Sequence, residues 1–188
     1  MIHDFEQLVQ RNLHQYLLAA DEVDQRLPDA SDIEEQWEAI AQAFMPDGIR
    51  EYTDYPVVTL GWMMYVGMAV AKMWDEDWEH ATALPNIYEH LRDARGFDLL
   101  DEYVREEVLG LQRVEISEAA RSAEPYAVTE RLVGECAART QSQLLHSGYE
   151  AGTRDAFHAF TACLHQLYLM GAAVQLKRMG YHMVEMKK

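Results

Sequence analysis

Asp155, His158 and His165 stand three and seven residues apart, so on a helix they would share one side and could offer a carboxylate and two imidazoles to a divalent metal. Helical bundles that hold two irons use Glu-x-x-His on two helices. No Glu-x-x-His and no His-x-x-x-His occurs in this chain; Asp155-x-x-His158 and Asp77-x-x-His80 come nearest. The competing reading is structural: histidines on a helix edge, bonded to neighbouring carboxylates. No cofactor is predicted, and a divalent metal is the one candidate.

A second group could line a ligand pocket. Tyr55, Trp62, Tyr65 and Trp74 recur at helical spacing, interleaved with Met63, Met64, Met68 and Met73. Aromatic and Met side chains serve pockets, subunit interfaces and plain cores alike. The acidic run Asp75-Glu76-Asp77-Trp78-Glu79-His80 offers oxygen ligands to a hard cation. It lacks the glycine and alternating spacing of a calcium loop, and reads better as the place where a core helix emerges into water.

Other chemistry has little support. Gly-x-Ser-x-Gly, a glycine-rich phosphate loop and Cys-x-x-Cys are absent. Cys136 and Cys163 fall on apolar helical stripes, where a free thiol behaves as a small hydrophobe. The reading leans away from an enzyme.

These residues need helices to position them. Apolar residues at three- and four-residue steps run nearly throughout the chain. Phe5, Val9, Leu13, Tyr16, Ala20 and Val23 give a first amphipathic helix that Pro28 ends. Ser31 with Glu34 predicts a capping box for a second helix carrying Ile33, Trp37, Ile40 and Phe44, which Met45-Pro46-Asp47-Gly48 closes. A third helix spans about residues 55–78. Leu84-Pro85-Asn86 then precedes a short helix ending at Gly96. Phe97, Leu100, Val104, Val108 and Leu111 mark another, and residues 115–124 are weakly helical. Pro125 opens a helix reaching Gly148. The last runs from Thr153 or Arg154 to Gly180 with a single apolar stripe, Ala156, Phe160, Cys163, Leu167, Met170 and Val174. Residues 181–188 form a short frayed tail. No stretch alternates with period two.

The third helix decides the class. Residues 55–71, YPVVTLGWMMYVGMAVA, contain no Asp, Glu, Lys or Arg. A membrane span needs about 20 predominantly apolar residues. Here Thr59, Gly61 and Gly67 lower the hydrophobicity and Pro56 occupies one end. The other helices each show a polar face and need a core to pack on. A bundle with one buried helix satisfies both conditions. The fold expected is therefore all-α: a single domain over residues 1–188, six to seven helices around a central helix at about 55–78.

Charge narrows the partners. The net charge is -16; residues 1–54 hold 13 acids against three bases, while residues 151–188 hold two acids against five bases. Nucleic acid and anionic membrane surfaces would be repelled. The asymmetry implies either a basic last helix beside acidic ones or contacts between subunits. The N-terminal residues lack a signal-peptide core, which with the two cysteines makes the cytoplasm the expected location. The leading expectation is a soluble bundle acting through protein contacts, as a homodimer or other homo-oligomer. The alternative is a ligand- or metal-binding bundle, enzyme or sensor, with its site between helices.

Overall fold

A computed structural model describes residues 2–52, 56–112 and 124–182. From Thr59 to Ala71 the uncharged run lies inside the molecule, with Trp62 alone partly exposed. Leu60, Met63, Met64, Val66, Met68, Ala69, Val70 and Ala71 are all buried, so the helix turns apolar side chains to protein on every face. Full burial of each Leu, Met or Val contributes roughly 1.5–3 kcal/mol. Among the described residues one helix, over Val57–Ala83, is long and apolar enough to cross a membrane, and 67% of its apolar window is buried inside the bundle.

Among the described residues the architecture is an all-α bundle of eight α-helices with no strand. They are α1 (Ile2–Ala19), α2 (Ser31–Glu35), α3 (Trp37–Tyr52), α4 (Pro56–Ala83), α5 (Ile87–Arg95), α6 (Leu100–Tyr103), α7 (Pro125–Leu145) and α8 (Arg154–Arg178). A 3-10 turn, Phe97–Leu99, leads into α6, and a π-helical turn, Val104–Val108, leaves it. The buried residues of all these elements join in one hydrophobic core.

Two helices share the centre. From Ala159 to Leu176 only Thr161, His165 and Leu169 reach solvent even partly, so α8 is wrapped almost as completely as α4. A single apolar stripe with a polar opposite face was the expectation for this helix. Gly171 lets α4 lie against one side, while Glu6 of α1 bonds Gln166 and Ile33 of α2 bonds Tyr168 on others, so that Gln166 and Gln175 are buried with the rest.

Local chemistry sets the ends of the elements, though not always where the sequence suggested. The Ser31–Glu34 capping box does not form: Ala30 holds the N-cap position with no side-chain hydrogen bond, and Ser31 lies inside α2. Nor does Pro46 end α3, which runs on to Tyr52. Asp47, one residue later, accepts from the Tyr88 hydroxyl at 2.5 Å and from Arg92 at 3.2 Å. That tie to α5 holds the turn helical, and tertiary contact overrides the proline. α4 extends to Ala83, past the expected end, by restarting. Asp77 has extended backbone (φ -160, ψ 84), and its Oδ1 accepts from the His80 N–H at 3.1 Å, capping a final short helix. Thr153 caps α8 in the same way through the Ala156 N–H. α7 ends at Leu145, short of Gly148.

The charge asymmetry resolves partly within the chain. Lys177 pairs with Asp21 at 2.9 Å, and Arg178 grips Glu22 with two hydrogen bonds of 2.9 and 3.0 Å. Surface pairs of this kind contribute about 0–1 kcal/mol each. They join the C-terminal end of α8 to the turn after α1. Most of residues 115–124 and of the tail at 181–188 lie outside the described residues.

Candidate functional site

Arg105 is the most unusual side chain in the bundle. It is 2% exposed, and it sits in the π-helical turn after α6, where the Leu109 N–H reaches back to the Val104 carbonyl at 2.8 Å. The wider turn adds a residue to the helical repeat, which rotates Arg105 inward. Its Nη1 donates to the Tyr65 hydroxyl at 2.8 Å and to Glu130 at 2.9 Å; its Nη2 donates to Asp101 at 2.7 Å. The guanidinium lies 4.4 Å from the Tyr126 ring centre and 5.3 Å from that of Tyr65. Its Nε has no partner among the described residues.

The electrostatics follow from this crowding. Burial opposes the charge on Arg105, but Tyr65, Asp101, Tyr126 and Glu130 outweigh it and hold the pKa above its ordinary value. Burial also raises Asp101, with Arg105 pulling the other way, and pushes the Tyr65 hydroxyl far up. Removing a guanidinium and most of the Asp101 carboxylate from water is costly, and apolar replacements are often neutral or stabilising. The cluster is therefore poorly explained by stability alone.

A half-open cavity of about 150 Å³ adjoins it, between α4, the α6–π segment and α7. Arg105, Asp101 and Glu130 provide its polar wall; Trp62, Tyr65 and Val133 are among its apolar lining. Trp62 is fixed there, since its Nε1 donates to the Phe97 carbonyl at 2.6 Å and its ring meets Tyr65 edge-on at 6.1 Å. The volume resembles that of cavities that take a benzene molecule, roughly 150 Å³.

Of the four aromatic candidates, the structure thus brings Trp62 and Tyr65 together in one cavity. Tyr55 lies outside the described residues. Trp74 is elsewhere: its Nε1 donates to Asp32 at 3.3 Å, its ring meets Tyr181 edge-on at 5.3 Å, and it borders a separate hollow of about 150 Å³ beneath residues 28–33.

The candidate metal residues are split. His165 and His158 border one shallow hollow with Glu6 and Trp37, while Asp155 is exposed and outside it. His165 is held by Glu6 on α1 through Nδ1 at 2.6 Å, approaches Glu34 on α2 at 3.4 Å, and stacks on Trp37 at 4.9 Å. That bond from His165 holds Glu6 below its ordinary pKa despite the opposing effect of burial. His158 accepts from Arg154 at 3.3 Å. Among the described residues no group of three His, Cys, Asp or Glu side chains is placed to hold a metal ion. His165 serves as a clasp between α8, α1 and α2.

Sequence reasoning missed Arg105, Asp101 and Glu130. An Asp-x-x-x-Arg pair at i,i+4 reads as a solvated helix face, and nothing local announces the π turn. Trp62 and Tyr65 were legible because aromatics one turn apart on an uncharged helix stand out. In comparisons with known proteins, no family model, curated protein or solved structure matches this chain.

Proposed function

We propose that this bundle binds a small polar molecule in the cavity beside Arg105. The observation that carries the reading is a guanidinium 2% exposed, incompletely paired among the described residues and set against a cavity walled by Trp62 and Tyr65. Small-molecule sites combine an apolar lining with a few convergent polar groups, and that is the composition here. Its setting on a π-helical turn adds support, since such turns recur at functional sites. Binding without covalent chemistry suits the residues best. Burial pushes both thiols, Cys136 and Cys163, up to about 12, and Tyr65 is raised as well.

The test is a fragment panel screened against the purified chain by NMR, reading the indole N–H resonance of Trp62. Compounds that bind the cavity shift that resonance and raise the melting temperature. If nothing in a broad panel of small polar molecules moves it, the reading fails.

Self-association is the second reading. Leu8 is 48% and Leu145 is 70% exposed, and Leu8 borders an open hollow that also touches Gln143 and His146, on either side of Leu145 in sequence. Light scattering that finds a monomer at all concentrations would remove it.

A further inference from the structure

We infer that the hollow lined by Trp74 and Tyr181 is a second binding site, suited to a small alkylated ammonium ion of the choline type. It shares no lining residue with the cavity beside Arg105.

The hollow measures about 150 Å³ and lies between residues 28–33, α4 and the C-terminal end of α8. Pro28, Ile33 and Leu176 belong to its apolar lining. Trp74 and Tyr181 add two rings with centres 5.3 Å apart and planes inclined at 68°, which makes a corner and not a stack. Each ring has already given its one hydrogen-bond donor to a carboxylate. Trp74 Nε1 donates to Asp32 at 3.3 Å, and the Tyr181 hydroxyl donates to Asp75 at 2.5 Å. Neither ring has a donor left for an anion. What remains is π surface and acceptor oxygen, and both favour a cation.

The charges agree. Asp29 and Asp32 line the hollow, and Asp75 is bound to Tyr181. Among the described residues no base lines the hollow. The bases nearest in sequence are engaged elsewhere: Lys72 with Glu76, Lys177 with Asp21 and Arg178 with Glu22. Hydrogen bonds from neutral rings leave the negative charges of Asp32 and Asp75 in place. The uncapped first turn of α2 opposes them weakly, since even a long helix presents only roughly half a positive charge at its N-terminus, and α2 has five residues.

The walls choose among cations. A metal ion requires several oxygen or nitrogen ligands, and among the described residues no group of three His, Cys, Asp or Glu side chains is placed to supply them. A primary ammonium is strongly hydrated and gains little from an apolar lining. Methyl groups on nitrogen spread the charge over a surface that matches both the rings and the aliphatic residues. A volume that elsewhere admits benzene, roughly 150 Å³, admits a trimethylammonium head.

The experiment titrates the whole chain with choline chloride, with its uncharged carbon isostere 3,3-dimethylbutan-1-ol, and with sodium chloride at matched ionic strength. The readout is the indole N–H resonance of Trp74, with that of Trp62 as internal control. Choline is expected to shift the Trp74 resonance, to leave that of Trp62 in place, and to bind about tenfold more tightly than the alcohol, as a partly desolvated cation–π contact allows. Tyr181→Leu keeps an apolar wall at a side chain 46% exposed, and should weaken choline severalfold while leaving the alcohol unchanged. Asp29→Asn, at an exposed position, should also weaken choline and should not change the melting temperature. Equal binding of choline and the alcohol would overturn the cation. A sodium chloride titration that reproduces the choline shift, or choline affinity unchanged in both variants, would overturn the site. A Trp74 resonance that stays still at high millimolar choline would overturn the inference outright and leave the reading of the Arg105 cavity untouched.

Discussion

Gly67 of α4 and Gly171 of α8 each sit against the backbone carbonyl three residues before the other. A Cβ at position 67 would lie 2.0 Å from the Tyr168 oxygen, and one at 171 would lie 2.2 Å from the Met64 oxygen. The two glycines therefore set the distance between the central helices. Alanine has the higher helix propensity, by about 1 kcal/mol, yet Gly67→Ala or Gly171→Ala is expected to destabilise by roughly 1–3 kcal/mol through overpacking. Gly67→Leu should be at least as costly. Because one separation of the helices relieves both clashes, the double alanine variant should lose less than the sum of the singles. Urea denaturation of the four proteins measures this, and strict additivity would contradict a shared crossing point.

Arg105 should behave as a buried charge with obligations. Arg105→Ala leaves the half-buried Asp101 carboxylate without its closest cation. The expected loss is roughly 3–5 kcal/mol. Adding Asp101→Asn removes the stranded charge, so the double variant should recover part of that loss. Equal stability of Arg105→Ala and the parent would place the guanidinium in water.

The clasp between α1 and α8 predicts a direction for acid unfolding. Glu6 has its pKa lowered from an ordinary 4.5, chiefly by the hydrogen bond from His165. Its stabilising contribution is complete above that value and is lost as the pH falls through the folded-state pKa. Glu6→Gln should therefore be less stable than the parent at pH 7, and the difference should shrink as the pH drops below about 4.5. Thermal melts across this range test the sign; a gap that widens on acidification would rule out the assignment.

Burial should silence both thiols. The thiolate is the reactive form, and Cys136 and Cys163 are raised to about 12. At pH 8 a thiol reagent should modify the native protein only as fast as the bundle opens, and should modify the urea-unfolded chain at once. Rapid labelling of either cysteine in the native state would show that its helix face is open to solvent.

The bundle and its central helix were readable because an uncharged run flanked by acids has few physical solutions. Residues 55–71 could be wrapped by lipid or by protein, and the amphipathic partners favoured protein. α8 was harder. Its charges lie at its ends and its middle contains His165, Gln166 and Gln175, which suggest a wet face in isolation. Gln166 and Gln175 are buried all the same, Gln166 through its bond to Glu6 on α1, and His165 is covered in part by Glu6 and Trp37, contacts far away in the chain. At the candidate site, Trp62 and Tyr65 could be read from α4, whereas Arg105 could not. Its inward position depends on the π turn and on Glu130, brought in from another helix. The Ser31–Glu34 motif shows the opposite error, a sound local signal displaced when the chain enters α2 one residue early.

The pairing of α4 with α8 also governs how the chain is made. A ribosome finishes Ala83 long before it reaches Arg154, and at typical rates of synthesis the delay is on the order of ten seconds. Through that interval the most apolar rod in the protein lacks its main partner. Nascent chains should therefore engage chaperones through the segment from Met63 to Ala71, and release should coincide with emergence of the last helix.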